Sequence, residues 1–243
     1  MNNKLQSRIR NLEFYNGFLT LLIICFLLFS FVKSGKEKFE EISAERINII
    51  ERDGSTRMVI ANKKLLPAVT LNGKTLSKNP RPDRGPGMLF YNDEGDEIGG
   101  YLFGGGSGAG NYGHISMDQY KQDQVIRMKY SEQMDGTERL TTAGIFVQGQ
   151  PSNITSDRIV AFYDSVAVIT DKEIRRKLIR EFNAGLEKSN SLFVGKSQEN
   201  AYGLFLADKN NKERLNLYVD SLGQPHLDFL DATGKVIFSL PGK

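Results

Sequence analysis

The two histidines and the carboxylates near them are the residues best suited to acid–base chemistry. His114 lies four residues before Asp118 and nine before Asp123, and His226 lies two residues before Asp228. Imidazole and carboxylate groups can exchange protons near neutral pH when they lie within hydrogen-bonding distance. A histidine-based triad would need one of these two histidines. No nucleophile elbow and no H-E-x-x-H motif accompanies them, so the sequence assigns no catalytic residue.

The glycine-rich segment YLFGGGSGAGNYGH, residues 101–114, contains G-x-G-x-x-G from Gly108 to Gly113. Such a motif binds a pyrophosphate when it joins a strand to a helix whose N terminus faces the phosphates. The sequence that follows, HISMDQYKQDQVIRMKY, turns into an alternating strand instead. We therefore predict that the run joins two strands, its glycines allowing positive φ angles or close backbone approach, and we expect no nucleotide.

Carboxylates are concentrated in NDEGDE, residues 92–97, but without the D-x-D-x-D-G spacing and the later glutamate of a calcium loop. A hairpin turn is the preferred interpretation. Cys25 is the only cysteine, which excludes an intramolecular disulfide and a cysteine-based metal site. The sequence assigns no metal site and no cofactor.

One predicted helix has a basic face, formed by Arg175, Arg176, Lys177 and Arg180. This face could hold anionic lipid or an acidic partner, although interspersed glutamates favour a solvated surface. The net charge is +3, of which +2 precedes residue 33. Because nucleic-acid binding needs clustered Lys and Arg, the nearly neutral remainder predicts no nucleic-acid partner.

An apolar N-terminal run precedes all of these residues. Residues 14–32, FYNGFLTLLIICFLLFSFV, carry no charge. At about 1.5 Å per residue this length crosses a hydrocarbon core of about 30 Å. We predict a basic tail at 1–13, a transmembrane helix at 14–32 and a polar stalk at 33–44. A signal peptide cleaved near residue 34 is the alternative. The short positive tail favours a cytoplasmic N terminus and an extracytoplasmic remainder.

The remainder, residues 45–243, repeats one sequence pattern. Each repeat has a segment of alternating apolar residues, a turn built on Asp, Asn or Gly, and a second alternating segment. This pattern is typical of β-hairpins. It occurs in INIIERDGSTRMVIAN from Ile47, MLFYNDEGDEIGGYLF from Met88, GLFLADKNNKERLNLYV from Gly203 and HLDFLDATGKVIFSL from His226. We predict a mainly β domain of roughly twelve antiparallel strands in a curled meander, a barrel or a propeller-like arrangement.

Strand alternation also predicts which side chains are buried. In their hairpins Leu217 and Phe229 belong to the set of alternate residues that is more apolar. We therefore expect these two side chains to face a core and the Asn216 side chain to face water. Residues 155–188 change to helical spacing and predict an αα insertion. There Thr170 and Glu173 have the spacing of a capping box.

The chain resembles bacterial membrane-anchored proteins that combine an N-terminal transmembrane helix with repeated D-x-x-G β-hairpins. The resemblance rests on SAERINIIERDGSTRMVIAN, GMLFYNDEGDEIGG and ERLNLYVDSLGQPHLDFLDATGKVIF, and it covers most of residues 40–243. It implies the topology and the repeat architecture. No activity is established for such proteins, so the resemblance implies no catalytic residues.

Three functions fit these observations. A membrane-anchored binding or scaffolding module of the cell envelope, with a protein or polymer partner for the β domain, is the leading interpretation. A membrane-tethered hydrolase could instead act on an envelope polymer through loop carboxylates, since carboxylates from distant loops leave no sequence motif. The third is a structural subunit of a membrane complex. A cleft lined by carboxylates would favour the enzyme, and a flat apolar patch would favour assembly.

Overall fold

The computed structural model describes residues 2–30, 38–76, 85–136 and 138–242. The chain divides into two compact units, Met1–Ser43 and Ala44–Lys243. In the first, helix α1 spans Asn2–Ser30, so helix already begins in the predicted tail rather than at Phe14. Its segment Leu5–Leu27 is long and apolar enough to cross a membrane. The predicted helix end at residues 31–32, the first stalk residues and the alternative cleavage site near residue 34 lie outside the described residues.

The second unit is built on one large antiparallel sheet. Its twelve strands are β1 (Arg46–Ile50), β2 (Thr56–Ala61), β5 (Gly87–Tyr91), β6 (Glu97–Gly106), β7 (Gly110–Asp118), β8 (Gln124–Asp135), β9 (Glu138–Gln148), β10 (Ser191–Lys196), β11 (Tyr202–Ala207), β12 (Glu213–Val219), β13 (Pro225–Leu230) and β14 (Val236–Leu240). A small hairpin of β3 (Thr70–Leu71) and β4 (Lys74–Thr75) lies between β2 and β5 in sequence. The strands pair in chain order, with β1 and β14 at the two edges. The mainly β prediction and its meander order are confirmed.

One turn recurs along the sheet and explains this topology. In the turns that begin at Glu51, Asn92, Ser197, Asp208, Asp220 and Asp231, the first backbone N–H donates to the fifth carbonyl and the fourth N–H donates to the first carbonyl. The fourth residue is Gly or Asn with φ between 59° and 88°. Such turns are three-residue hairpin loops that end in a β-bulge, in which one residue has a positive φ angle. They reverse the chain, so the two strands that they join pair with each other.

The core formed by the described residues is small and lies on the first part of the sheet. Val59, Ala61, Leu89, Tyr91 and Leu102 are buried on one face of β2, β5 and β6, and Leu65 and Leu66 pack against them. The two leucines belong to the segment that leads from β2 towards β3. This segment forms a second layer over those strands.

The predicted αα insertion consists of α2 (Ser156–Ala167) and α3 (Lys172–Ala184), between β9 and β10. The two helices contact each other through Phe162 and Phe182, whose rings stack with 3.8 Å between centroids. The predicted capping box is wrong by one residue. Asp171 is the N-cap of α3, and its Oδ1 accepts hydrogen bonds from the backbone N–H groups of Glu173 and Ile174. An aspartate carboxylate caps a helix at least as well as threonine does.

The buried face of the C-terminal strands is the reverse of the one predicted. Leu217 is 52% exposed and Phe229 37%, whereas Asn216 and Asp228 are 7% and 9% exposed. The alternation itself was correct, because these pairs do lie on opposite faces. The prediction assumed that a second layer covers the face that carries the apolar side chains, and this assumption was wrong. Asn216 and Asp228 are buried by hydrogen-bonded neighbours on their own face, among them Glu213, Tyr218 and Ser239.

Candidate functional site

Two rows of apolar residues cross the whole sheet on one face. In an antiparallel sheet, directly paired residues point to the same face, so the pairing register identifies each row. The first row is Ile47, Ile60, Met88, Tyr101, Ile115, Met128, Ile145, Val194, Leu204, Leu217, Leu227 and Leu240. The second is Ile49, Met58, Phe90, Gly99, Met117, Ile126, Val147, Leu192, Leu206, Leu215, Phe229 and Phe238. We call these two rows the apolar face.

The apolar face is largely open to solvent. Fifteen of its side chains are between 37% and 58% exposed, and they occur along both rows, from Ile47 and Ile49 on β1 to Phe238 and Leu240 on β14. With roughly 200 Å² on each large apolar side chain, they expose on the order of 1,000 Å². The largest apolar patch of a monomeric soluble protein covers about 300–600 Å². The apolar face therefore exceeds the largest apolar patch expected of a monomeric soluble protein.

The opposite face differs in composition. The row beside the first apolar row contains Asn48, Ser116, Arg127, Asn216, Asp228 and Ser239 among its twelve members. At its centre the rings of Phe146, Phe193 and Phe205 stack in sequence, with centroid distances of 4.5 and 5.7 Å. Stacked cross-strand rings stabilise a sheet without a covering layer. The two faces therefore have separate roles, and only one is uniformly apolar.

The turns that border the apolar face are acidic. The six recurrent turns and the turn at residues 119–123 together hold ten carboxylates against five basic side chains. Several of the carboxylates also stabilise their own turns. Asp231 Oδ1 accepts hydrogen bonds from the Thr233 hydroxyl and from the N–H groups of Thr233 and Lys235, which lowers the pKa of Asp231. Asp208 accepts from the N–H groups of Asn210 and Lys212, which likewise lowers its pKa.

The predicted hairpin turn in residues 92–97 is confirmed: residues 92–96 form the turn between β5 and β6, and Glu97 begins β6. This turn contacts the next one at the same border. Asp96 is 2% exposed. Its Oδ2 lies 2.6 Å from Lys121 Nζ, and its Oδ1 accepts from the N–H of Asn72. Lys121 also pairs with Glu94, and hydrogen bonds to Asp96 and Glu94 raise the pKa of the ammonium group. This cluster joins two turns and the β3–β4 hairpin.

A cavity of about 560 Å³ lies beside this cluster. It is bounded by the segment Lys63–Leu76, the strand ends near Asp118 and Gln124, and helix α2. Four carboxylates line it, from Glu97, Asp118, Asp123 and Asp164, together with apolar side chains such as Leu66 and Val160. The volume is typical of small-ligand sites. The cavity thus brings together acidic side chains that lie far apart in sequence.

The structure separates most of the residues proposed for acid–base chemistry. Asp118 and Asp123 line the cavity, whereas His114 is not among its lining residues. His226 Nε2 lies 3.0 Å from Asp220 Oδ2 rather than beside Asp228. Asp228 instead accepts hydrogen bonds from Tyr218 and Ser239. Both histidines are therefore paired or placed away from the cavity carboxylates.

The glycine run forms the hairpin of β6 and β7, which confirms that it joins two strands. Several of its glycines leave room for rings or backbone. A Cβ at Gly104 would overlap the ring of Tyr112, and one at Gly113 would overlap the ring of Phe103. Gly108 and Gly110 have φ angles of +81° and +75°. The run thus has a structural explanation.

The basic face of α3 is solvated. Arg176 pairs with Glu173 at 2.8 Å, and Lys177 Nζ lies 3.9 Å from Glu181. All four of these side chains are at least 60% exposed. Exposed pairs of this kind contribute little to stability.

The apolar face was the feature missed by sequence reasoning. The alternation of each strand was visible, but the register that aligns twelve strands into two rows was not. The six three-residue turns of one type could have fixed the register of six of the eleven strand pairs, because a fixed turn length fixes the register of a hairpin. No protein-family model matches the chain, and neither do the curated proteins or the solved structures with which it was compared.

Proposed function

We propose that this protein is a membrane-anchored binding and scaffolding module of the cell envelope, and that it works by association through its apolar face. The observation that carries the proposal is the pair of apolar rows crossing all twelve strands. Domains normally bury an apolar sheet face against a second layer. Among the described residues of the second unit, such a layer lies over β2, β5 and β6, on the opposite face. The missing layer would come from a macromolecular partner.

Helix α1 supports the anchoring part of the proposal. Its apolar segment Leu5–Leu27 has 23 residues, long enough to cross a hydrocarbon core of about 30 Å. The basic residues Arg8 and Arg10 precede its most apolar part, which favours a cytoplasmic N terminus and an extracytoplasmic sheet. The protein would thus hold an association surface near the membrane.

Native electrophoresis of gently solubilised membranes tests this function. The wild-type chain should migrate as a complex larger than its own mass of 27.3 kDa. Met128→Glu with Ile145→Glu places two charges at the centre of the apolar face, and the complex should dissociate. Lys129→Glu changes the neighbouring exposed residue, which points to the opposite face, and should leave the complex intact. A wild-type chain that migrates as a monomer would argue against the proposal.

A second candidate function is a membrane-tethered hydrolase, which the carboxylates of the cavity favour. Pairs of carboxylates hydrolyse glycosidic bonds, one acting as the acid and the other as the base or nucleophile. The double substitution Asp118→Asn and Asp123→Asn removes two of the four carboxylates that line the cavity. The purified protein should then lose any release of soluble fragments from envelope polysaccharide. Asp231→Asn, in a distant turn, is the matched control. If neither wild type nor control releases fragments, the hydrolase is excluded.

A further inference from the structure

We propose that the partner covering the apolar face is a second copy of this chain, and that two copies pack face to face into a two-layer sandwich. This inference rests on the proposed function and specifies its partner. Sheets that pack face to face do so about 10 Å apart, with side chains of the two inner faces interdigitating. Two copies would each supply one layer, so an isologous dimer would bury both apolar faces.

The dimensions of the apolar face limit what can cover it. Twelve strands spaced about 4.8 Å apart give a face roughly 50 Å wide. A helix about 10–12 Å across that lies along the strands would cover only two or three of them. A helix that lies across the strands would need about 33 residues to reach both edges of the sheet. The second apolar layer would therefore be a sheet of similar width, several helices together or one helix of this length. The apolar face of a second copy has the same width and the same apolar composition.

The area is also sufficient for a stable dimer. A standard interface buries about 800 Å² on each partner. The side chains already described expose more than this on the apolar face, even before those that are half-buried are counted, such as Met58 and Leu204. The rows contain no charged residue, so two copies meet without burying an unpaired charge.

The charge of the border argues against a lipid surface as the cover. Membrane surfaces that contain anionic lipid attract clusters of Lys and Arg. The seven turns counted above carry twice as many carboxylates as basic side chains. Anionic lipid would repel such a border, whereas between two protein layers the carboxylates remain in water at the rim. Salt would screen the repulsion between the two rims.

Cysteine cross-linking of the full chain in membranes tests the dimer. In a Cys25→Ser background, single cysteines replace Tyr101, Met128 or Leu217, which are 40%, 52% and 52% exposed along the first apolar row. Each variant alone and each co-expressed pair is treated with a short bismaleimide. We expect at least one combination to give a product of twice the chain mass. Lys129→Cys, on the opposite face, should give none.

The outcomes separate this inference from the proposed function. Loss of the product when Ile145→Glu is added supports the dimer. A product with any other mass identifies a different protein partner, which overturns the dimer but keeps the binding function. If no combination cross-links and the cysteines on the apolar face react with maleimide as fast as the Lys129→Cys thiol, the dimer and the proposed binding function are both wrong. Cross-linking to a photoactivatable lipid instead would overturn the dimer in favour of a lipid surface.

Discussion

Met128 on β8 is paired directly with Ile145 on β9 at the centre of the sheet, and the two side chains are 52% and 38% exposed. Both would be core residues in a sheet with a second layer on that side. Their exposure places the centre of an apolar surface at the centre of the sheet. This position distinguishes the apolar face from the isolated surface leucines that any protein shows.

Leucine truncations should distinguish the core from the apolar face. Leu89 is 1% exposed, and Leu89→Ala should lower the free energy of unfolding by about 2–5 kcal/mol. Leu217→Ala removes the same atoms from a half-exposed site, so its cost should be less than about 1 kcal/mol. Urea unfolding of residues 44–243, at concentrations where the protein is monomeric, measures both values. Equal losses would mean that Leu217 is buried within a single chain.

Two glycine substitutions should differ in their effect on stability. Gly99 has a φ of +142°, and a Cβ there would overlap the backbone carbonyl of Ser116. Gly99→Ala should therefore destabilise the β6–β7 pairing. Gly106→Ala is the control, since its Cβ would meet no atom within 4 Å and its φ is not positive. Thermal unfolding should show a lower Tm for Gly99→Ala only. An equal Tm for the two variants would contradict the described hairpin.

Stability should fall in acid because of the turn aspartates. Hydrogen bonds to the carboxylates lower the pKa of Asp208, Asp220 and Asp231. Their stabilising contribution is complete above the ordinary aspartate pKa of about 3.9 and is lost as pH falls through the lowered folded value. Asp231→Asn should reduce this acid sensitivity, because Asn92 makes the same kind of turn without titrating. Unfolding midpoints between pH 7 and pH 2 measure the effect; identical pH profiles for wild type and variant would refute it.

Membrane retention should depend on α1. The full chain should remain in the pellet after alkaline carbonate washing, because a spanning helix is not released by breaking ionic contacts. A chain that begins at Glu45 should appear in the wash. If the shortened chain stays in the pellet, the sheet itself binds lipid; if the full chain is washed out, α1 does not span the membrane.

Most of the secondary structure could be predicted from the sequence, but the exposed face could not. Turn residues such as Asp53-Gly54 and Asp231 to Gly234 mark the hairpins, and alternation marks their two faces. Alternation does not show whether a second layer exists. Leu217 and Asn216 illustrate this, because the same pattern predicts a buried leucine in a sandwich and an exposed one in a single layer. The cavity was also beyond reach, since Glu97, Asp118 and Asp164 come from separate elements.

The most direct measurement is the solvent accessibility of the apolar face in membranes. Met128→Cys and Lys129→Cys, each in a Cys25→Ser background, place one thiol on either face of β8. Open membrane fragments are treated with a water-soluble maleimide, and the labelling rates are compared before and after unfolding in urea. If the apolar face is an interface, the Met128→Cys thiol is protected in membranes and the Lys129→Cys thiol is labelled readily. Equal labelling rates for the two thiols in intact membranes would contradict the proposed role of the apolar face.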